Sequence, residues 1–424
     1  MMTMRLLLEG RVYRRGRIVE AKVLVENGWI VRVSRSISEE VDRRIRLREG
    51  EVALPAPIDL HVHCRDPHPD YDFDFRTETL RLLLGGVATA VDMPNTRPAP
   101  VDAETFREKE RRARRRALIE VIVSGAVRDK GNVRELVSAG APVLGEAFLA
   151  PSTDAPVTEP SEVPGILRAA GDAPVLFHAE LGELVSEDGA SDLLDHHLNR
   201  PPEAEATAVG LLAGAVSAVG GRAHVCHATL PESVDLARRA GMTVEVTPHH
   251  LFFDTLRVDA RDPTLKVNPP IRGRRQRLGL LERVRRGRVD VLATDHAPHP
   301  RVDRFEEAPS GVSSGGLLLP AALTLHRRYG VSLRRAVDMI TRNPARILGR
   351  EDLGEVAPGR RARIAVVETR EFRVSAERLM EEDRKFPYDG LRMYGRPTRL
   401  ILEDRVYDLE ESRRVGEPVL VEGG

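Results

Sequence analysis

Cysteine, lysine, tryptophan and aromatic side chains in general are scarce in this 424-residue chain. Only Cys64 and Cys226 occur, too few for a disulfide framework at this size, so a reducing, cytoplasmic compartment is expected. Aromatic residues make up 4%, which leaves no obvious stacking platform for single-stranded nucleic acid. The 65 basic and 65 acidic residues cancel to a net charge of +0, so no bulk field draws in nucleic acid or anionic lipid. The run Arg111–Arg116 is a local exception; behind the acidic Glu104, Glu108 and Glu110 it reads as a solvated helix face. Just five of the 65 basic residues are lysines, a bias that fits ion-pair networks of heat adaptation or a GC-rich genome. The longest apolar stretch, 209–219, is too short for a span of about 20 residues. No apolar leader with a cleavage site opens the chain. No membrane insertion is expected.

What is present is ample core material: 41% hydrophobic and 31% charged residues describe a folded, water-soluble chain. The length suits one barrel of roughly 250 residues and a smaller unit. Residues 4–49 alternate apolar and polar side chains around the turn Glu26-Asn27-Gly28, and 363–367 and 400–407 repeat that style, so both ends predict β-structure. Between them lie eight short apolar runs, at 53–61, 88–93, 119–124, 143–148, 175–178, 223–227, 243–247 and 289–293, separated by helix-length segments. That alternation predicts an α/β fold, a TIM (β/α)8 barrel. Expected boundaries are 1–52, 53–348 for the barrel, and 349–424.

In such a barrel the reactive groups sit at the C-terminal ends of strands. The first run ends on His61 and His63, two apart and therefore on one face. His178, His227 and the pair Asp295-His296 close the fifth, sixth and eighth runs. Imidazoles and a carboxylate converging on one mouth are what a divalent, zinc-type site requires. Cys64 and Cys226 have the opposite strand parity and read as packing residues.

The stretch Asp59-Leu60-His61-Val62-His63-Cys64-Arg65-Asp66-Pro67 resembles the first signature of the dihydroorotases, within the amidohydrolase superfamily. Asp92-Met93-Pro94-Asn95-Thr96, Phe177-His178-Ala179-Glu180, His224-Val225-Cys226-His227-Ala228-Thr229, Val246-Thr247-Pro248-His249-His250-Leu251, Lys266-Val267-Asn268-Pro269-Pro270-Ile271-Arg272 and Ala293-Thr294-Asp295-His296-Ala297-Pro298-His299 match further motifs in order. The resemblance covers essentially the whole chain and implies a small composite β-domain formed by both termini beside the barrel. It implies zinc, one or two ions per subunit, with His61 and His63 on one ion and His178 and His227 on the other. Asp295 would bind the first ion and carry the proton. The implied reaction is reversible cyclisation of N-carbamoyl-L-aspartate to L-dihydroorotate in de novo pyrimidine synthesis, with the metal activating water and polarising the ring carbonyl. Arg65 would grip the substrate carboxylate through two parallel hydrogen bonds. Asn95 and His299 would assist there, Asn268 would contact the ring side, and Ser310 and Gly311 would offer backbone groups to its edge. Asn95 and Asn268 also fit as plain turn residues beside prolines.

The sequence departs from the family pattern in places. Family members commonly bridge the metals with a carboxylated lysine at the end of strand four, where this chain has Glu146. A glutamate offers the same two oxygens on a side chain about 3 Å shorter, against metal centres about 3.5–4 Å apart. Either the backbone moves inward or one metal is loose or absent; a plain ion pair with an arginine is the structural alternative. His68 stands for a glycine, Arg304 for a basic residue that is usually lysine, and the Gly-Gly of Ser313-Ser314-Gly315-Gly316 sits differently. His249 and His250 read as packing or as support for the ligands. Rival readings are allantoinase, dihydropyrimidinase or hydantoinase, and a non-catalytic scaffold. A homo-oligomer or an association with aspartate transcarbamoylase stays open.

Overall fold

The computed structural model describes residues 4–421 apart from 153 and 187–188. The chain opens with β1 (Arg5–Arg14), β2 (Arg17–Glu26), β3 (Trp29–Ser34), β4 (Arg43–Arg46) and β5 (Glu51–Pro55). Two-residue turns join the first three: Arg15-Gly16 and Asn27-Gly28 each hold both residues at positive φ, a backbone twist that matches the flanking strands. The alternation seen in β2 buries Ala21, Val23 and Val25 on one side.

Eight parallel strands follow: β6 (Ile58–Val62), β7 (Thr89–Asp92), β8 (Glu120–Val123), β9 (Leu144–Phe148), β10 (Val175–His178), β11 (Ala223–Val225), β12 (Thr243–Val246) and β13 (Val291–Leu292). β6 to β8 pair in one arc and β9 to β13 in another. The bridges Gly125↔Leu144 and Val62↔His296 join the arcs and close the barrel. Helices between the strands, such as Phe75–Leu84, Ala103–Arg116 and Pro202–Val219, form the outer layer. Asp74 and Asp102 start two of them with reciprocal side-chain caps that satisfy otherwise orphaned amides. Leu60, Val91, Val143, Leu176, Cys226 and Val291 fill the barrel interior.

The expected single run over 53–61 is two strands. Residues 53–55 belong to β5, which pairs antiparallel with β14 (Arg363–Arg373) in the terminal sheet, and Ala56-Pro57 separates it from β6. Proline lacks the amide a continuous ladder needs, so the chain changes sheets there. β15 (Arg392–Leu402) and β16 (Arg405–Asp408) complete a sheet of order β16-β15-β14-β5-β1-β2-β3, with β4 on β1. Both ends of the chain thus share one sheet. Arg363 ties it to the barrel by reaching Glu120 on β8 and Thr89 on β7. Between β14 and β15, residues 374–391 leave the sheet, and Phe386 and Tyr388 pack there with Phe253, Val267 and Phe305 near the barrel mouth.

Candidate active site

The C-terminal strand ends bring His61, His63, Glu146, His178, His227 and Asp295 into one buried cluster. His61 and His63 project from the same side of β6, as their spacing predicts. Asp295 Oδ1 lies 3.5 Å from His61 Nε2 and 3.3 Å from His63 Nε2. Asp295 and His227 both adopt positive φ just past their strands, a strained backbone that aims each side chain across the mouth.

Glu146 lies between the two histidine groups. Its Oε1 is 2.6 Å from His227 Nε2 and 3.1 Å from His178 Nδ1, while Oε2 is 3.4 Å from His61 Nε2 and 3.9 Å from His63 Nε2. The strand is irregular here: Leu144 faces Val175 but Ala147 faces Phe177, so β9 carries an extra residue at Gly145-Glu146. Such a bulge bends the strand and re-aims a side chain. Gly145 makes it feasible, for its φ is +105° and an added Cβ would collide with the Leu176 carbonyl. No arginine pairs with Glu146 among the described residues.

Other acids orient the imidazoles. Glu245 Oε1 accepts from His61 Nδ1 at 2.6 Å, so His61 presents Nε2 to the cluster; Glu245 Oε2 also meets His224 Nε2 at 3.1 Å. Glu180 accepts from His178 Nε2 at 2.9 Å and is held by Arg200, so His178 presents Nδ1. Carboxylates fixing ring tautomers in this way are characteristic of metal-binding histidines. The fully buried His61 Nε2 and His227 Nδ1 have no hydrogen-bond partner, and ligand atoms of His61, His63 and Asp295 lie within 4.8 Å of one another, as do those of His61, Glu146 and His227. This N/O donor set fits a divalent cation. Burial opposes the charge on Glu146, but the His61 and His227 imidazoles overcome it and hold the carboxyl well below its ordinary range; burial pushes His63 down to about 4, whereas Glu146 and Glu180 overcome burial at His178 and push it up to about 9. Cys64 is buried away from these groups, whereas Cys226 comes together with His61 and Glu245. His224, two residues before it and on the same side, also meets Glu245, and Cys226 packs in the barrel interior.

Arg65 lies beside the cluster, 6% exposed. Its guanidinium stands 6.0 Å from the Tyr71 ring centre and 3.3 Å, through Nη2, from His299 Nε2. No carboxylate lies within salt-bridge distance of it among the described residues, and its Nε has no partner. His299 Nε2 donates to the Ser310 carbonyl at 3.0 Å and Nδ1 accepts from the Tyr71 hydroxyl at 3.1 Å. Asn268 Oδ1 accepts from the Ser310 hydroxyl at 3.0 Å, and the Gly311 amide donates to the Lys266 carbonyl. A Cβ on Gly311, at φ +134°, would meet His299 at 2.9 Å. Asn95, 4% exposed, reaches Ser152. Of the departing residues, His68 packs its ring at a tilt against Tyr71 and pairs with Asp154 at 2.8 Å, while Arg304 pairs with Glu306 and Glu307 on the surface. The arginine-rich helix is not wholly a solvated face: Arg112 Nε holds the buried Asp66 at 2.8 Å, next to Arg65.

The residue types, their convergence at one barrel mouth and a match of residues 52–401 to the amidohydrolase family model decide the relationship. The chain belongs to the amidohydrolase family. It is 62% identical to a dihydroorotase of Methanopyrus kandleri over the whole of both chains. A dihydroorotase of Halobacterium salinarum is 35% identical over 72% of this chain and 74% of the relative. The fold superposes on the L-hydantoinase (dihydropyrimidinase) of Arthrobacter aurescens with a TM-score of 0.88, at 24% identity, covering 100% and 98% of the two chains. No helix among the described residues is long and apolar enough to cross a membrane.

Sequence reasoning missed Glu245, Tyr71 and the segment that carries Lys385 and Tyr388. Glu245 had a signal, since a charged residue in the apolar run Val244-Glu245-Val246 needs a buried partner. Glu180, two residues beyond His178, stood in a recognised motif without a role. Tyr388, whose hydroxyl lies 3.4 Å from His249 Nδ1, had none.

Proposed function

We infer that this protein is a dihydroorotase, a metal-dependent hydrolase that interconverts N-carbamoyl-L-aspartate and L-dihydroorotate in pyrimidine synthesis. Its full-length similarity to dihydroorotases supports the reaction. The observation that carries the substrate choice is Arg65: a buried guanidinium without a carboxylate partner is costly unless a ligand supplies one. Dihydroorotate has that carboxylate, whereas dihydrouracil, hydantoin and allantoin do not.

Arg65 grips the carboxylate from one side, and His299, fixed by Tyr71 and Ser310, borders the same pocket. Asn95 assists at the carboxylate, Asn268 contributes its amide at the ring side, and the Ser310-Gly311 backbone lines the ring edge. His61, His63, His178, His227, Glu146 and Asp295 would hold the metal, which supplies electrophilic polarisation of the carbonyl and activation of water. Asp295 accepts the proton of the attacking water and delivers it to the ring nitrogen as the C–N bond breaks; the reverse transfer closes the ring. His61, His63, His178, His227 and Asp295 are all present and converge, which argues against a scaffold. Zinc, one or two ions per subunit, is the proposed metal, and the two free, buried thiols suit a cytoplasmic protein. Self-association or association with aspartate transcarbamoylase belongs to the same reading, and sedimentation of the protein with and without that enzyme tests it.

The deciding experiment is hydrolysis by the zinc-loaded enzyme of dihydroorotate, dihydrouracil and allantoin. Turnover of dihydroorotate alone is expected, and Arg65→Met should lower kcat/KM for it by at least about 100-fold. Intact dihydroorotate turnover by Arg65→Met would overturn the assignment.

A further inference from the structure

Residues 374–391 leave the terminal sheet and return to it, and the side chains of Arg384, Lys385 and Tyr388 tie their far end to the barrel mouth. Arg384 donates to both oxygens of Glu78 at 2.6 and 2.8 Å. Glu78 in turn accepts from His296 Nε2 at 2.9 Å, next to Asp295. Tyr388 reaches His249. Between them Lys385 is fully buried and has no carboxylate partner among the described residues. Its ammonium donates instead to two backbone carbonyls, Lys266 at 3.0 Å and Pro309. Its own backbone spans the same region, with the Lys385 amide donating to the His299 carbonyl at 3.1 Å and its carbonyl accepting from Ser313 at 2.8 Å.

Each of these contacts lies beside a residue of the anion pocket. Pro309 precedes Ser310, whose carbonyl fixes His299; Lys266 accepts from the Gly311 amide and stands two residues before Asn268. One side chain thus clamps the two loops that carry Asn268, Ser310 and Gly311.

We propose that Lys385 is a positioning residue for substrate, contributed by the terminal β-domain, which holds the 309–311 loop and His299 ready around the carboxylate-bearing ring before substrate arrives. The proposal rests on the dihydroorotase reading. Its physical basis is pre-organisation: a loop ordered beforehand spends less binding energy on ordering itself. The contribution is to binding, so losing it raises KM and leaves the proton chemistry of Asp295 unchanged.

The test compares Lys385→Met, which keeps the volume and removes every donor, with Lys385→Gln, which keeps amide donors without the charge. In zinc-loaded enzyme, KM for dihydroorotate should rise about 10-fold or more in Lys385→Met, with kcat within about 3-fold of the native value and bound metal unchanged. Lys385→Gln should recover most of the loss. A native KM in Lys385→Met, or Lys385→Gln as impaired as Lys385→Met, overturns the proposal. Hydrogen exchange on the native protein decides the matter even if Lys385→Met fails to fold. The amides of 311–313 should exchange slowly without substrate, like barrel strands; exchange as fast as in 301–307 until dihydroorotate is added overturns it. Failure of the native enzyme to turn over dihydroorotate is a separate result, and strikes the functional reading instead.

Discussion

Glu146 sits where strand β9 carries one extra residue, and each of its oxygens faces a different pair of imidazoles. Glu245 works one layer out: it touches His61 through Nδ1 and leaves Nε2 for the cluster. These roles separate in metal titrations. Glu245→Gln should weaken metal binding by about 10–100-fold, the usual cost of losing an orienting partner, and Glu146→Ala should weaken it further and reduce the metal retained after gel filtration. Full retention of metal by Glu146→Ala would remove it from the ligand set. Asp59, buried and pushed up to about 6 mainly by burial, accepts from the Thr294 hydroxyl at 2.6 Å and its amide at 3.0 Å. It thereby anchors the residue before Asp295 to β6.

At the scale of elements, the segment between β14 and β15 carries both a positional role and a pH signature. Burial, reinforced by the neighbouring Lys266 charge and opposed by Asp262, pushes the Lys385 ammonium down to about 7. An exposed lysine in the unfolded chain titrates near 10.5. Between these values the unfolded chain binds a proton that the folded protein lacks, so this group's contribution to stability rises with pH. Below about pH 7 both states are charged and the burial cost is felt in full. Urea unfolding of the native protein and Lys385→Met should therefore show the native protein gaining relative stability from pH 7 to pH 9, by up to about 1.4 kcal/mol per pH unit. A difference that is flat across this range would mean that folding leaves Lys385 protonated up to pH 9, its pKa not pushed down.

At the scale of the whole molecule, the two chain ends act as one sheet. β5 lies between β1 and β14, so the N-terminal strands present an open ladder until the C-terminal strands arrive. Arg363 and Glu120 then fasten that sheet to β8 of the barrel. A chain truncated after residue 362 would expose the edge of β5 along with Val52 and Leu54, both buried in the native fold, and edges of this kind aggregate. It is expected to be insoluble or to unfold without cooperativity, as followed by circular dichroism during heating. A truncated chain that melts cooperatively and retains its metal would show the barrel to be independent of the sheet.

Local chemistry determined much of this before any coordinates. Period-two alternation and eight apolar runs were enough for a closed parallel barrel, because strand and helix periodicities are written in neighbouring residues. The convergence of the histidines and Asp295 was legible from their places at strand ends, whereas Arg65 was singled out through the family resemblance. The tertiary structure alone decided what depends on residues far apart in sequence. The bulge that lets Glu146 reach both histidine pairs is a matter of register between β9 and β10. Cys226 meets His61 and Glu245 because three strands converge there, and Lys385 reaches Pro309 across 76 residues of chain. A spacing rule describes one element at a time, whereas the satisfaction of a buried charge is settled by whichever elements the fold packs around it.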